Sequence, residues 1–138
     1  MKAVSNEKCG VCGNTADFEI QEKAVLLREA HCSWCGASIR NSDVAKQVIK
    51  ALSGSDDECL ADALPQLSGF RILNTCSTGA LHDSLKRIPG YVASEYYDDV
   101  PNGEHKGAVI SADLMNLPFH DESFDMVISE DVFEHIYI

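Results

Sequence analysis

The sequence contains no apolar run near the ~18 residues that a membrane-spanning helix needs, and its first residues form no charged, apolar, small-residue leader. The expectation is a soluble cytoplasmic protein with no membrane partner. Internal repeats and low-complexity tracts are also missing. Positive charge is scarce in one part of the chain: residues 51–138 hold 4 Lys/Arg against 16 Asp/Glu, whereas residues 1–50 hold 7 against 6. So acidic a surface repels phosphate backbones, which argues against a nucleic-acid partner for the second part and leaves only the first part open to one.

A chain of 138 residues is long enough to bury one ordinary core without disulfides, with room for a small accessory module. Composition shifts once, over the Ser/Gly/Asp/Glu stretch 53–58, which is expected to form a loop near a domain boundary. Before it, Ser42 is a fair N-cap for a helix in which Val44, Val48, Ile49 and Leu52 recur at helical spacing. After it, Cys59, Leu60, Ala63, Leu64 and Leu67 continue a helical pattern, with Pro65 in conflict near its end. Residues 42–69 are therefore expected to be a helical linker between an N-terminal module, residues 1–41, and a larger unit, residues 70–138.

Two Cys-x-x-Cys knuckles occupy the front of the chain, Cys9-Gly-Val-Cys12 and Cys32-Ser-Trp-Cys35, separated by 19 residues and each followed by glycine, Gly13 and Gly36. Tight turns of this kind present four thiolates to one tetrahedral ion, while Phe18, Ile20, Val25, Leu26 and Leu27 can form a hairpin joining the knuckles. Disulfides and a redox pair are the competing readings. A cytosolic chain argues against the first, and a redox pair needs only one motif. The reading adopted is a zinc ribbon with ligands Cys9, Cys12, Cys32 and Cys35, the zinc being structural because four thiolates leave no position for water. His31, beside Cys32, is read as a bystander. Arg28, Arg40, Lys46 and Lys50 are read as a solvated face in preference to a nucleic-acid patch.

From Phe70 the pattern changes to short apolar runs at 71–76, 91–96, 108–112 and 124–129, spaced as parallel strands with crossovers are, with a helix at 81–87 closed by Pro89-Gly90. This is α/β writing, and in an open parallel sheet ligands bind beyond the carboxyl ends of the strands. The residues there are Asn74-Thr75-Cys76-Ser77-Thr78-Gly79-Ala80 after the first run, and Glu95-Tyr96-Tyr97 at the end of the second. Asp113-Leu114 follow the third run, and Ser129-Glu130 end the fourth. A carboxylate at Glu95 is placed to accept both hydroxyl hydrogens of a ribose, and Tyr96 can lie against an adenine or merely pack.

These segments resemble the class I S-adenosylmethionine-dependent methyltransferases. The stretch from Ser111 through Asp113-Leu114-Met115-Asn116-Leu117-Pro118-Phe119 to Phe124-Asp125-Met126-Val127-Ile128 carries most of the likeness. The resemblance implies a partial Rossmann-like sheet in spatial order third, second, first, fourth, and S-adenosylmethionine as cofactor. It implies that Asp113 meets the adenine amino group, that Leu114 adds a backbone amide and an apolar wall, and that Ser129 and Glu130 line the methionine end. Asn74, Thr75, Cys76, Thr78 and Gly79 stand on the family's acidic-x-Gly-x-Gly-x-Gly loop. There Asn74 replaces the acid, and Cys76, Thr78 and Ala80 replace glycines, unless a one-residue shift places Gly79 on the last glycine. His135 falls on a family helix position that packs or meets substrate.

The family continues into a fifth strand, an antiparallel pair and acceptor-binding loops that the sequence does not contain. Two expectations follow: a homo-oligomer that covers an open fourth-strand edge, or a piece of a longer gene product. No residue identifies itself as a general base, so the catalytic residue is unknown. The functional expectation is the N-terminal part of a methyltransferase whose acceptor is unknown, a small molecule or a saccharide. A non-enzymatic zinc-ribbon binding module on a degenerate scaffold stands beside it, as does methylation of an RNA delivered by the zinc module.

Overall fold

A computed structural model describes residues 2–19, 30–56 and 58–130. The N-terminal module is an antiparallel sheet of β1 (Lys2–Lys8), β2 (Thr15–Glu19) and β3 (His31–Cys32), in that order. Phe18 pairs with Cys32, so β2 and β3 are the ends of the hairpin expected between the knuckles. Ile20, Val25, Leu26 and Leu27 lie outside the described residues, as does His135.

Helix α1 (Ile39–Ser53) is capped by Ser38, whose Oγ accepts from Asn41 N at 3.0 Å, and it ends on Gly54 at φ 80°. This corrects the expected cap at Ser42. That serine lies inside the helix, 2% exposed, and its Oγ accepts from the buried Gly10 N–H at 2.8 Å. The local pattern is misleading because the second knuckle fixes Ser38 in an antiparallel bridge with His31, so the helix starts directly after it: Ile39 N donates to Ala30 O at 3.0 Å. Helix α2 (Leu60–Leu67) follows, with Pro65 in its last turn, where the missing N–H forfeits one intrahelical bond. Two amides at its start, which a helix leaves without internal partners, are taken by the first knuckle: Leu60 N donates to Gly10 O at 2.7 Å and Ala61 N to Val11 O at 3.1 Å.

The second sheet is built from β4 (Ile72–Asn74), β5 (Tyr91–Glu95), β6 (His105–Lys106), β7 (Val109–Ser111) and β8 (Met126–Ile128), in spatial order β6-β7-β5-β4-β8. Strands β7, β5, β4 and β8 are parallel and stand in the expected order of third, second, first and fourth runs. Strand β6 was not legible in the sequence. It is two exposed polar residues folded back on β7 through Gly107 at φ 65°, with no apolar alternation to announce it. Helix α3 (Ala80–Leu85) forms the first crossover and stops two residues short of the expected end.

Asp125 aligns the sheet. Its Oδ2 accepts from Arg71 N at 2.8 Å, and its own N–H returns to Arg71 O at 2.8 Å, which sets β8 beside β4. One buried cluster runs from Cys9, Val11 and Phe18 through Val48, Ile49, Leu60 and Leu67 to Ile72, Leu85 and Ile128. Truncating a side chain from its middle, such as Leu67→Ala, is expected to cost about 2–5 kcal/mol. Among the described residues, no helix is long and apolar enough to cross a membrane.

Candidate cofactor site and metal centre

The four knuckle cysteines converge. All four Sγ atoms lie within 4.8 Å of one another, with Cys9 to Cys35 at 3.8 Å and Cys12 to Cys32 at 3.9 Å. Disulfide sulfurs sit at about 2.05 Å, whereas a tetrahedron of zinc–sulfur bonds of about 2.3 Å has edges of about 3.8 Å. The spacing is that of metal ligands, and the pairs cross between knuckles. Gly13 and Gly36 take φ 81° and 79°, which turns amides toward sulfur. Trp34 N points to Cys32 Sγ at 3.4 Å, and Asn14 Nδ2 to Cys12 Sγ at 3.5 Å. Burial pushes the Cys9 and Cys35 thiols up; at Cys12 burial is outweighed by the hydrogen bonds from Asn14, Cys35 and Cys9 together, which lower it. Four thiolates this close repel one another unless a cation compensates them, so the cluster is suited to a metal ion. His31 is exposed at the surface of β3.

The carboxyl ends of β4, β5, β7 and β8 form the second assembly. Glu95, the last residue of β5, accepts from both Ser77 N at 2.8 Å and Ser77 Oγ at 3.0 Å through Oε1. The loop after β4 is thereby clamped to the end of β5, and no hydrogen bond to Oε2 of Glu95 is seen among the described residues. Thr75 bonds Ile128 O twice, through N at 3.0 Å and Oγ1 at 3.1 Å, which ties the same loop to β8. Gly79 stands at φ 97° as the N-cap of α3, while Cys76, Thr78 and Ala80 have no positive φ. The backbone therefore supports the one-residue shift, with Gly79 in the position that needs glycine. The Cys76 thiol donates to Thr78 O at 3.4 Å within the loop.

Asn74 is buried, and its Nδ2 donates to Tyr91 OH at 3.2 Å; that hydroxyl lies 2.8 Å from His82 Nδ1. With its oxygen accepting from Asn74, Tyr91 directs its own proton to Nδ1 and so selects the imidazole protonated on Nε2. Burial pushes the Tyr91 pKa up to about 12 and lowers that of His82. Asn74 is thus committed to the underside of α3.

Asp113 and Leu114 are half-buried just beyond β7. Asp113 Oδ1 accepts from Met115 N at 2.9 Å, an Asx turn, and Asp113 N donates to Asn102 Oδ1 at 2.9 Å. Asn102 also holds Asn116 O at 2.7 Å, so the loop before β6 props the Asp113 turn from behind. Tyr96 is 68% exposed. Ser129 and Glu130 follow β8; Ser129 Oγ is buried with no hydrogen-bond partner among the described residues.

The structure thus brings Thr75, Gly79, Glu95, Asp113, Leu114, Ser129 and Glu130 to one end of the sheet. Cys76 and Thr78 bond each other, and Asn74 turns toward α3. Sequence reasoning missed Ser77, Asn102 and Asn41. Asn102-Gly103 is a turn dipeptide that offered a signal for one of them, but Asn41 meets Glu130 across 89 residues, which no local pattern announces.

Residues 75–137 match the family model described as Methyltransferase domain. No curated protein and no solved structure matches the chain. The matched segment begins at the loop after β4 and takes in Glu95, Asp113 and all of β8. Over these residues the chain carries a class I S-adenosylmethionine-dependent methyltransferase domain, and a four-cysteine cluster of metal-ligand geometry stands in front of it.

Proposed function

We propose that the chain binds S-adenosylmethionine across the carboxyl ends of β7, β5, β4 and β8 and serves methyl transfer to a small molecule or saccharide. The observation that carries the reading is the Glu95 carboxylate, pinned on one oxygen by both donors of Ser77 and, among the described residues, unbonded on the other. A carboxylate held this way is preorganised to accept ribose hydroxyls without losing side-chain freedom on binding. Asp113, fixed by its Asx turn and by Asn102, serves the adenine amino group, with Leu114 as wall and Tyr96 as an exposed ring beside the Glu95 carboxylate that takes the ribose. Gly79 and Thr75 shape the floor, and the buried Ser129 Oγ, unpartnered among the described residues, fits a ligand that completes its hydrogen bonding. The cofactor supplies a sulfonium methyl group; the protein's part is to hold donor and acceptor in line and exclude water.

The test is titration calorimetry with S-adenosylhomocysteine. Glu95→Gln keeps an acceptor for Ser77 but removes the charge, and it is expected to weaken binding roughly 10–100-fold, the range for a hydrogen bond to a charged group. Absence of any heat or thermal shift at millimolar ligand with the wild-type chain would sink the reading.

In the same reading, Cys9, Cys12, Cys32 and Cys35 hold a structural zinc. Strand β8 has a strand neighbour on one side among the described residues, and Val127 is 55% exposed on it, which favours a second copy covering this edge. Light scattering that gives a monomer mass would refute that assembly. The internal bond between Cys76 and Thr78, in place of bare glycine backbone, favours a second reading in which the sheet is scaffold and the zinc ribbon binds a partner.

A further inference from the structure

The first turn of α1 joins the two assemblies. On one side it hangs from the second knuckle: Ile39 N donates to Ala30 O, and Asn41 N to Ser38 Oγ, only a few residues beyond Cys35. On the other side it faces the methyltransferase domain. Asn41 Nδ2 donates to Glu130 Oε2 at 3.4 Å, and a Cβ placed on Gly79 would lie 3.7 Å from Asn41 Oδ1. Glu130 follows β8 and Gly79 closes the loop after β4, so one side chain reaches both strand ends between which the sheet order reverses. Beside Glu130 sits Ser129 Oγ, buried and without a hydrogen-bond partner among the described residues. Asparagine in the first turn of an amphipathic helix ordinarily faces water; here it is half-buried and spent on a carboxylate at the opposite end of the chain.

We infer that Asn41, a residue of the cysteine-bearing module and outside the segment matched to the methyltransferase family, is a positioning residue of the cofactor site, acting by orienting the Glu130 carboxylate over the loop that ends at Gly79. The inference rests on the cofactor reading above. Glu130 is of the charge that receives a cationic ligand group such as the ammonium of S-adenosylhomocysteine. A carboxylate oriented by an amide donor binds such a group without first being ordered. The knuckle, through α1, thereby sets how tightly the cofactor is held.

The experiment is calorimetry of S-adenosylhomocysteine binding to the full chain as wild type, Asn41→Ala, Glu130→Gln and the double variant, with melting temperature and metal content measured on each. Asn41→Ala is expected to weaken binding roughly tenfold at wild-type melting temperature and metal content, and to have little further effect in the Glu130→Gln background. Asn41→Asp, which sets two carboxylates at hydrogen-bond distance, is expected to weaken it further. Unchanged affinity in Asn41→Ala, or losses at Asn41 and Glu130 that simply add, would overturn the inference while leaving the cofactor reading intact. Affinity lost only in step with melting temperature would do the same, because that is the mark of a strut. A wild-type chain that does not bind would remove both.

Discussion

His82 is held against its charged form. Burial is the main cause of its lowered pKa, and Tyr91, with its own pKa near 12, stays a neutral donor throughout the physiological range. Below about pH 6.5, the ordinary value, the unfolded chain takes up a proton that folded His82 refuses, so stability falls as pH drops from there through the folded pKa. In His82→Asn, whose amide oxygen can still accept from Tyr91, the decline in melting temperature between pH 7 and 5 is expected to be shallower than in wild type. Replacing Asn74 by Asp puts a carboxylate beside Tyr91, which turns the hydroxyl away from Nδ1 and raises the His82 pKa, visible as an upward shift of its NMR titration midpoint. The sequence did not show that the Asn74 side chain meets Tyr91, because that depends on which way the last residue of β4 turns within the sheet.

Between elements, the first knuckle is welded to α1 and α2 by backbone groups. A Cβ on Gly10 would lie 2.2 Å from Ser42 O and 2.8 Å from Lys46 Cγ, so any side chain there forces knuckle and helix apart. Gly10→Ala is expected to cost about 1–3 kcal/mol, the range for overpacking. Ser42→Ala strands the buried Gly10 N–H and is expected to cost a similar amount, about 1–3 kcal/mol. Urea unfolding of the metal-loaded protein checks both, and a Ser42→Ala variant as stable as wild type would show that Gly10 N–H has found water. The existence and type of the long-patterned elements, α1, β4, β5, β7 and β8, were legible because apolar periodicity is local. The start of α1 and the presence of β6 were not. A serine cap is recognised by the chain that precedes it, and a two-residue polar strand exists only because β7 offers it an edge.

In the molecule as a whole, the core is continuous from the knuckles to Ile72 and Ile128. Stripping the metal is therefore expected to lower the melting temperature of the entire chain in one transition, followed by circular dichroism with and without chelator. Two separate transitions, with only the first responding to chelator, would show modules that fold independently. The cysteine spacing, the acidic imbalance and the strand-end residues Glu95, Asp113, Ser129 and Glu130 stood in the amino-acid order alone, because a tetrahedral site and a parallel sheet both impose short, regular spacings on the chain. Packing alone settled what those residues face. The partner of Glu95 is Ser77, the prop of Asp113 is Asn102, and Glu130 is met by Asn41 from the other module. Such contacts join residues from 11 to 89 positions apart, and they arise from how sheet and helices stack, which no local pattern encodes.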